Sequence, residues 1–314
     1  MSHGVLAEGL RKSFDKLTAL DGLDIVVPAG TVGAVLGPNG AGKTTLIRIL
    51  ATLDTADGGT AFVGGYNVAT SPHSVRTVIS LTGQYAAVDG DLTGRQNLAM
   101  IGRLYRLGRP AAQRRADELL ERFDLTRAAG RLVRSYSGGM RRRLDLAASL
   151  VIQPRVLFLD EPTTGLDPPS REELWGVVRA LREEGTTIVL TTQYLEEADR
   201  LADHVTVVDH GHAVAQGTPA ELKAAVGGDV LELRAREPAI AEQAAHFLAG
   251  RARSRPGSVT LDPQQGLACV GVPSGSFSVP VAVRLLDAEG LPVDDIQLRR
   301  ATLDEVFSAL TGRP

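Results

Sequence analysis

Three features of the sequence set its fold class. An apolar run from Val32 to Leu36 opens into Gly37-Pro38-Asn39-Gly40-Ala41-Gly42-Lys43-Thr44, and a second apolar run from Val156 to Leu159 ends in Asp160-Glu161. The third is a β-α-β-β-α-β order towards the C-terminus. Together they predict an α/β chain: a phosphate-loop nucleotide-binding domain followed by a small α+β domain.

Residues 37–44 fit G-x-x-x-x-G-K-[ST], and the segment stands where a phosphate-binding loop has to stand. It follows a strand and leads into Thr45-Leu46-Ile47-Arg48-Ile49-Leu50, which reads as a helix. Glycines in such a loop let backbone N–H groups close around phosphates, with the positive end of the helix pointing at them. Lys43 would reach the β- and γ-phosphates, and the Thr44 hydroxyl would ligate magnesium.

The run Val156-Leu157-Phe158-Leu159 has the continuous apolar character of a strand buried on both faces. A carboxylate at its tip would sit beside the phosphate loop, Asp160 holding magnesium and Glu161 polarising the attacking water as general base. Alone, Asp-Glu-Pro could equally end a strand and begin a turn; the phosphate loop in the same chain favours the catalytic reading. Between the two lies Ser135-Tyr136-Ser137-Gly138-Gly139-Met140, followed by a helical pattern from Arg141 to Leu150. A Ser-Gly-Gly turn feeding a helix is a second anion-receptive helix N-terminus, although by itself it could be an ordinary cap.

Composition narrows the alternatives. The 314 residues suffice for one large domain or two ordinary ones, and 43% hydrophobic content allows a substantial core. A net charge of −3 offers no chain-wide attraction to nucleic acid, and none is expected as a partner. A single cysteine, Cys269, excludes an internal disulfide and a cysteine-cluster metal site. The six histidines show no ligand spacing. The N-terminus lacks the pattern of a signal peptide and no apolar run approaches spanning length, so a cytoplasmic chain is expected, reaching a membrane only through a partner.

The serial order of Gly37–Thr44, Gln84, Tyr136–Met140, Val156–Glu161 and Gly165-Leu166-Asp167 resembles the nucleotide-binding subunits of ATP-binding cassette (ABC) transporters, over roughly residues 4 to 220. Thr191-Thr192-Gln193-Tyr194-Leu195-Glu196-Glu197-Ala198-Asp199 and Arg300-Ala301-Thr302-Leu303-Asp304-Glu305-Val306-Phe307 look like the daunorubicin/doxorubicin-resistance branch of drug exporters. The resemblance implies an ABC-type nucleotide-binding domain over 1–220, with a mixed sheet and a helical subdomain at about 85–150, and an accessory α+β domain over 226–314. It implies ATP and Mg2+ as ligands, bound by Phe14, Gly37, Pro38, Asn39, Gly40, Ala41, Gly42, Lys43, Thr44 and Thr45. Phe14 would stack on adenine, unless it is a core residue of an edge strand. Gln84 would contact magnesium and the attacking water and move with the membrane subunit.

Where most members carry a histidine after the strand Thr186 to Leu190, this chain has Gln193. An amide can still donate to a γ-phosphate, but it cannot become a cation near neutral pH, which points to slow hydrolysis. Each motif occurs once. In the family, the Ser-Gly-Gly turn of one subunit covers the nucleotide of another. A homodimer in the ATP-bound state is therefore expected, with Ser137 and Gly139 on the other subunit's γ-phosphate, Gly138 among the nucleotide-binding residues, and Asp167 crossing the interface. An integral-membrane permease would dock on the helical subdomain, whose arginine-rich stretch from Arg103 to Arg115 reads first as a solvated helix face.

After Gly217-Thr218-Pro219 the pattern predicts strands at Val230–Arg234, Ser258–Leu261, Leu267–Val272 and Asp294–Arg299, with helices at Ala239–Leu248 and Val279–Ala288. That order suggests a ferredoxin-like or split sandwich sheet. A last helix, Leu303 to Leu310, puts Leu303, Val306, Phe307 and Leu310 on one face, to dock on the chain's own core or on another subunit. The function that follows is the ATPase subunit of an exporter for a drug or other hydrophobic compound, peripheral at the cytoplasmic face of the membrane. A soluble cassette ATPase of translation or DNA maintenance is the alternative, but it typically carries two cassettes, long coiled-coil insertions or basic tails.

Overall fold

Alternating apolar residues start the chain as a long antiparallel hairpin of β1 (His3–Phe14) and β2 (Leu17–Pro28), which buries Val5, Ala7, Leu10, Leu20, Leu23, Ile25 and Val27. The computed structural model describes residues 3–83, 87–225, 228–254, 258–262, 266–273, 275 and 277–311. The chain forms two units, Met1–Val214 and Ala215–Pro314.

In the first unit, β3 (Val32–Leu36) is followed by α1 (Lys43–Leu50), β4 (Gly58–Val63), β5 (Tyr66–Asn67), α2 (Pro72–Val78) and β6 (Ile79–Thr82). Next come α3 (Gly94–Leu104), α4 (Arg109–Arg122), α5 (Gly138–Ser149), β7 (Val156–Asp160), α6 (Pro168–Glu183), β8 (Thr187–Thr192), α7 (Leu195–Leu201), β9 (His204–Asp209) and β10 (His212–Gly217), whose last residues open the second unit. Two sheets result. One is antiparallel, in the order β2-β1-β4-β5; the other has the order β10-β9-β3-β8-β7-β6, with β9, β3, β8, β7 and β6 parallel. Every residue of β3, β7 and β8 is buried, as strands covered on both faces require. Leu46, Ile47, Ile49 and Leu50 of α1 enter a core that also holds Val35, Phe158 and Val189 of the parallel sheet and the inward residues of the hairpin.

The segment between β6 and β7 is helical. Thr93 caps α3 in a reciprocal box, its Oγ1 accepting from Gln96 N at 3.2 Å and its own N–H donating to Gln96 Oε1 at 2.8 Å. Asn97, fully buried, joins the preceding loop to this helix through Asp89 N, Asp89 O and Thr93 O. α4 lies close against α3, since a Cβ on Gly102 would stand 3.0 Å from that of Ala112. Arg103, Arg106, Arg109 and Arg114 are exposed, in keeping with a solvated face, whereas Arg115 turns in to cap the carbonyls of Leu150 and Val151. Among the described residues no helix is long and apolar enough to cross a membrane.

The second unit contains α8 (Pro219–Ala225), β11 (Asp229–Arg234), α9 (Pro238–Ala252), β12 (Val259–Asp262), β13 (Leu267–Val272), α10 (Val279–Glu289), β14 (Asp295–Arg300) and α11 (Leu303–Thr311). Its sheet has the order β12-β13-β11-β14, antiparallel throughout, which is the ferredoxin-like arrangement. One face packs Leu231, Leu233, Val270 and Val272 against α9 and α10. On the other, Arg299 bonds Glu232 and Glu305, both at 2.7 Å. Burial alone would raise the Glu305 carboxyl, but Arg299 outweighs it and the group lies below its ordinary range. Leu303 and Val306 of α11 are buried within this unit, the self-docking alternative for the last helix.

The packing of α6 on α7 carries one buried charge. Glu197 has no exposed surface and accepts from Trp175 Nε1 at 3.1 Å, and burial pushes its carboxyl above the ordinary value of 4.5. A raised folded-state pKa means that the native state holds this proton more tightly than the unfolded chain does. The stability it lends is therefore present below about pH 4.5 and lost as pH rises through the folded value. Glu197→Gln keeps the acceptor and removes the charge. It is expected to melt above the parent chain at about pH 8, by a margin that shrinks towards about pH 4.5. Melting curves that differ by a constant across that range would show that Glu197 does not titrate there.

Candidate active site

Parallel pairing brings the ends of β3, β8 and β7 to one level, with Leu36 opposite Thr192 and Asp160 opposite Thr191. The crevice beyond such strand ends is where open α/β sheets bind ligands. The phosphate loop begins there, tied down by Gly37 N donating to Thr192 O at 3.2 Å. A Cβ on Gly37 would meet Val208 O at 2.2 Å, so only glycine fits that approach. Gly40 and Gly42 have φ of 82° and 104°, and nothing lies within 4 Å of where a Cβ of Gly40 would point. The loop thus folds on its glycines, open at Gly40, and delivers its chain to the first turn of α1. The N–H groups of that turn have no partner one turn back and suit an anion.

Five side chains converge at this mouth. Lys43, 4% exposed, bonds Gly37 O and Pro38 O at 2.9 and 3.0 Å, and its ammonium stands 3.4 Å from Glu161 Oε1. Thr44 Oγ1 donates to Asp160 Oδ1 at 3.3 Å. Thr191, fully buried, donates to the same oxygen at 2.6 Å and accepts from Glu161 N at 3.0 Å. Glu161 has φ of 48°, a left-handed backbone that costs a non-glycine residue roughly 1–2 kcal/mol, and strain of this kind gathers at functional sites. The clustered donors are hard oxygens, and among the described residues no group of three or more His, Cys, Asp or Glu forms a metal cage. That donor set fits a cation that takes few protein ligands and completes its shell with phosphate oxygens and water.

A second group lies on neighbouring helices. Ser137 caps α5, accepting from Met140 N at 3.2 Å, and Asp167 stands at the N-cap of α6. These two helix starts abut, since a Cβ on Gly139 would lie 2.5 Å from Ser170 Oγ. Ser137, Gly138 and Asp167 are exposed, and among the described residues none of them bonds to the phosphate loop. Gln193, half-buried, follows β8 in a turn closed by Tyr194 N donating to Thr192 Oγ1 at 2.9 Å; its amide has no hydrogen bond among the described residues. Phe14 is 44% exposed at the tip of the hairpin with the Lys12 ammonium 5.3 Å from its ring, which removes the core-residue alternative. Gln84 lies outside the described residues.

Sequence reasoning missed three contributors. Thr191 orients Asp160, and its signal was a hydroxyl directly after the apolar run Ile188-Val189-Leu190. Arg142 donates to Gly83 O at 2.6 Å, Pro162 O at 2.8 Å, Asp160 O at 3.3 Å and Glu161 O at 3.4 Å. Asp145 pairs with Arg142 at 3.5 Å and accepts from Ala87 N at 2.7 Å. A carboxylate one helical turn after an arginine, inside an apolar stretch, was the available clue.

Comparison with known proteins bears on the family of the chain. The ABC transporter family model matches residues 20–164. The daunorubicin resistance ATP-binding protein DrrA2 of Streptomyces coeruleorubidus is 54% identical, in an alignment covering 99% of this chain and 95% of the relative. The daunorubicin/doxorubicin resistance ATP-binding protein DrrA of Streptomyces peucetius is 48% identical over 100% of this chain and 94% of its own. Among solved structures, cbiO1 of Clostridium perfringens, part of the ABC transporter complex cbiONQ, superposes with a TM-score of 0.66 at 26% identity, covering 71% of this chain and 91% of that one. Because the likeness to the two Streptomyces relatives, at 54% and 48% identity, runs over 99% and 100% of its residues, the chain belongs to the daunorubicin/doxorubicin-resistance group of ABC transporter ATP-binding subunits.

Proposed function

We propose that this subunit hydrolyses Mg-ATP at two sites shared across a homodimer and so powers export of a drug or other hydrophobic compound through a separate integral-membrane permease at the cytoplasmic face of the membrane. The observation that carries the reading is the division of the motifs. Lys43, Thr44, Asp160 and Glu161 meet at one mouth, while Ser137, Gly138 and Asp167 are exposed at helix starts that a second copy can use. The names of the relatives support a transporter over a soluble ATPase of translation or DNA maintenance.

In this reading Gly37 to Thr45 cradle the phosphates, with the Lys43 ammonium neutralising charge at the β- and γ-positions. Phe14 stacks on the adenine. Thr44 and Asp160, with Gln84, would hold magnesium, which would supply neutralisation of the phosphate charge. Glu161 takes the proton of the attacking water as general base. Gln193 donates its amide to the γ-phosphate, and Ser137, Gly138 and Gly139 of the other copy complete the cover. Loss of the bridging phosphate loosens the dimer and drives a two-state change in the permease. The exposed Met100, Leu104 and Tyr105, at one end of α3, suit contact with that permease. The nucleotide-binding domain is taken as 1–220, its helical part as about 85–150, and the accessory domain as 226–314.

Glu161→Gln retains the bonds of the acidic turn and removes the base. With ATP and magnesium it is expected to elute as a stable dimer on size exclusion, and a variant that stays monomeric under those conditions would overturn the shared-site reading. Gln193→Ala removes one hydrogen bond to a charged group and is expected to lower turnover by about 10- to 100-fold, while Gln193→His preserves it or raises it. Unchanged turnover in both variants would leave Gln193 without a role.

A further inference from the structure

Arg142 lies on α5, five residues past the Ser137 cap, which at 1.5 Å per residue is about 7 Å along the helix. Its two arginine neighbours face elsewhere. Arg141 reaches Val133 O, and Arg143 reaches Phe123 O and Glu173, so both tie α5 to other helical parts. Arg142 alone of the three addresses the active site, and its side chain is 11% exposed against 3% for Asp145. Its planar fork spans the carbonyls of Gly83, just beyond β6, and of Asp160, Glu161 and Pro162, at the end of β7 and just past it. Asp145 adds a bond to Ala87 N, so the pair grips both described flanks of the segment that carries Gln84. A buried cation spent on backbone carbonyls of a catalytic turn fixes where that turn sits relative to the helix.

We propose that Arg142, held by Asp145, is a positioning residue that locks the acidic turn of its own site to the helix whose Ser-Gly-Gly start covers the other site, so that occupancy of one site is transmitted to the other. This rests on the two-site dimer reading above. When a nucleotide draws in the start of α5, the guanidinium carries the displacement to the carbonyls of Asp160 and Glu161 at the opposite site. Lysine cannot substitute, because a point ammonium with three donors does not span four carbonyls.

The test uses the purified full chain and three measurements: the ATP dependence of hydrolysis, affinity for a fluorescent ATP analogue, and thermal melting. The parent chain is expected to dimerise with Mg-ATP and to hydrolyse with a Hill coefficient above 1, two being the limit for two sites. Arg142→Gln and Arg142→Lys are expected to bring that coefficient to about 1 and to lower kcat about tenfold, with analogue affinity within about twofold of the parent. Asp145→Asn, which keeps an acceptor for Ala87 N–H, shifts the coefficient in the same direction and decides the matter if the Arg142 variants do not fold. Two results overturn the proposal alone: variants with parental cooperativity and kcat, or variants whose kcat, affinity and melting temperature fall together, the mark of a merely structural residue. A parent chain that hydrolyses ATP as a non-cooperative monomer overturns the dimer reading and the proposal with it.

Discussion

Asp160 Oδ1 receives the hydroxyls of Thr44 and Thr191, at 3.3 and 2.6 Å, and this shared oxygen joins the start of α1 to the ends of β7 and β8. The loop between Gly37 and Lys43 is thereby anchored at both ends, because Gly37 already hangs on Thr192. Glu161 inherits its place from the same arrangement: its N–H bonds Thr191, and its carboxylate faces the Lys43 ammonium. The three parallel strands that carry these groups are buried along their whole length, so the core that stabilises the unit also sets the spacing of the chemistry. Close packing makes that spacing hard to deform.

Much of this was readable in the chain. Continuous apolar runs fall on buried parallel strands, and a glycine-rich motif after one of them falls on a loop whose glycines are forced by a carbonyl at 2.2 Å and by positive φ. The β-α-β-β-α-β pattern has the strand order expected of it, because alternation fixed which face each strand buries. What escaped were long-range side-chain partners. Nothing local says that Arg142 rather than Arg141 or Arg143 turns inward, since helix phase depends on which neighbours α5 meets. Trp175 and Glu197 are similar: each looks like an ordinary helix residue, and only the packing of α6 on α7 makes them a buried pair.

The C-terminal resemblance gains a physical content. Glu305, within Leu303-Asp304-Glu305-Val306-Phe307, accepts from Arg299 and from Thr302 N, while Leu303 and Val306 are buried. One acidic residue thus caps its helix and closes an ion pair across the sheet face, and two apolar ones seal the unit. Much of that motif therefore serves the fold of its own unit.

The left-handed backbone at Glu161 sets conformational ease against chemistry. Glycine or asparagine would occupy that φ more comfortably than glutamate, and either would discard the carboxylate. With Glu161 as the base proposed above, a library of this chain ranked by heat resistance would enrich at position 161 for sequences that lack the carboxylate, and the thermostable clones drawn from it would have to be sorted again by turnover.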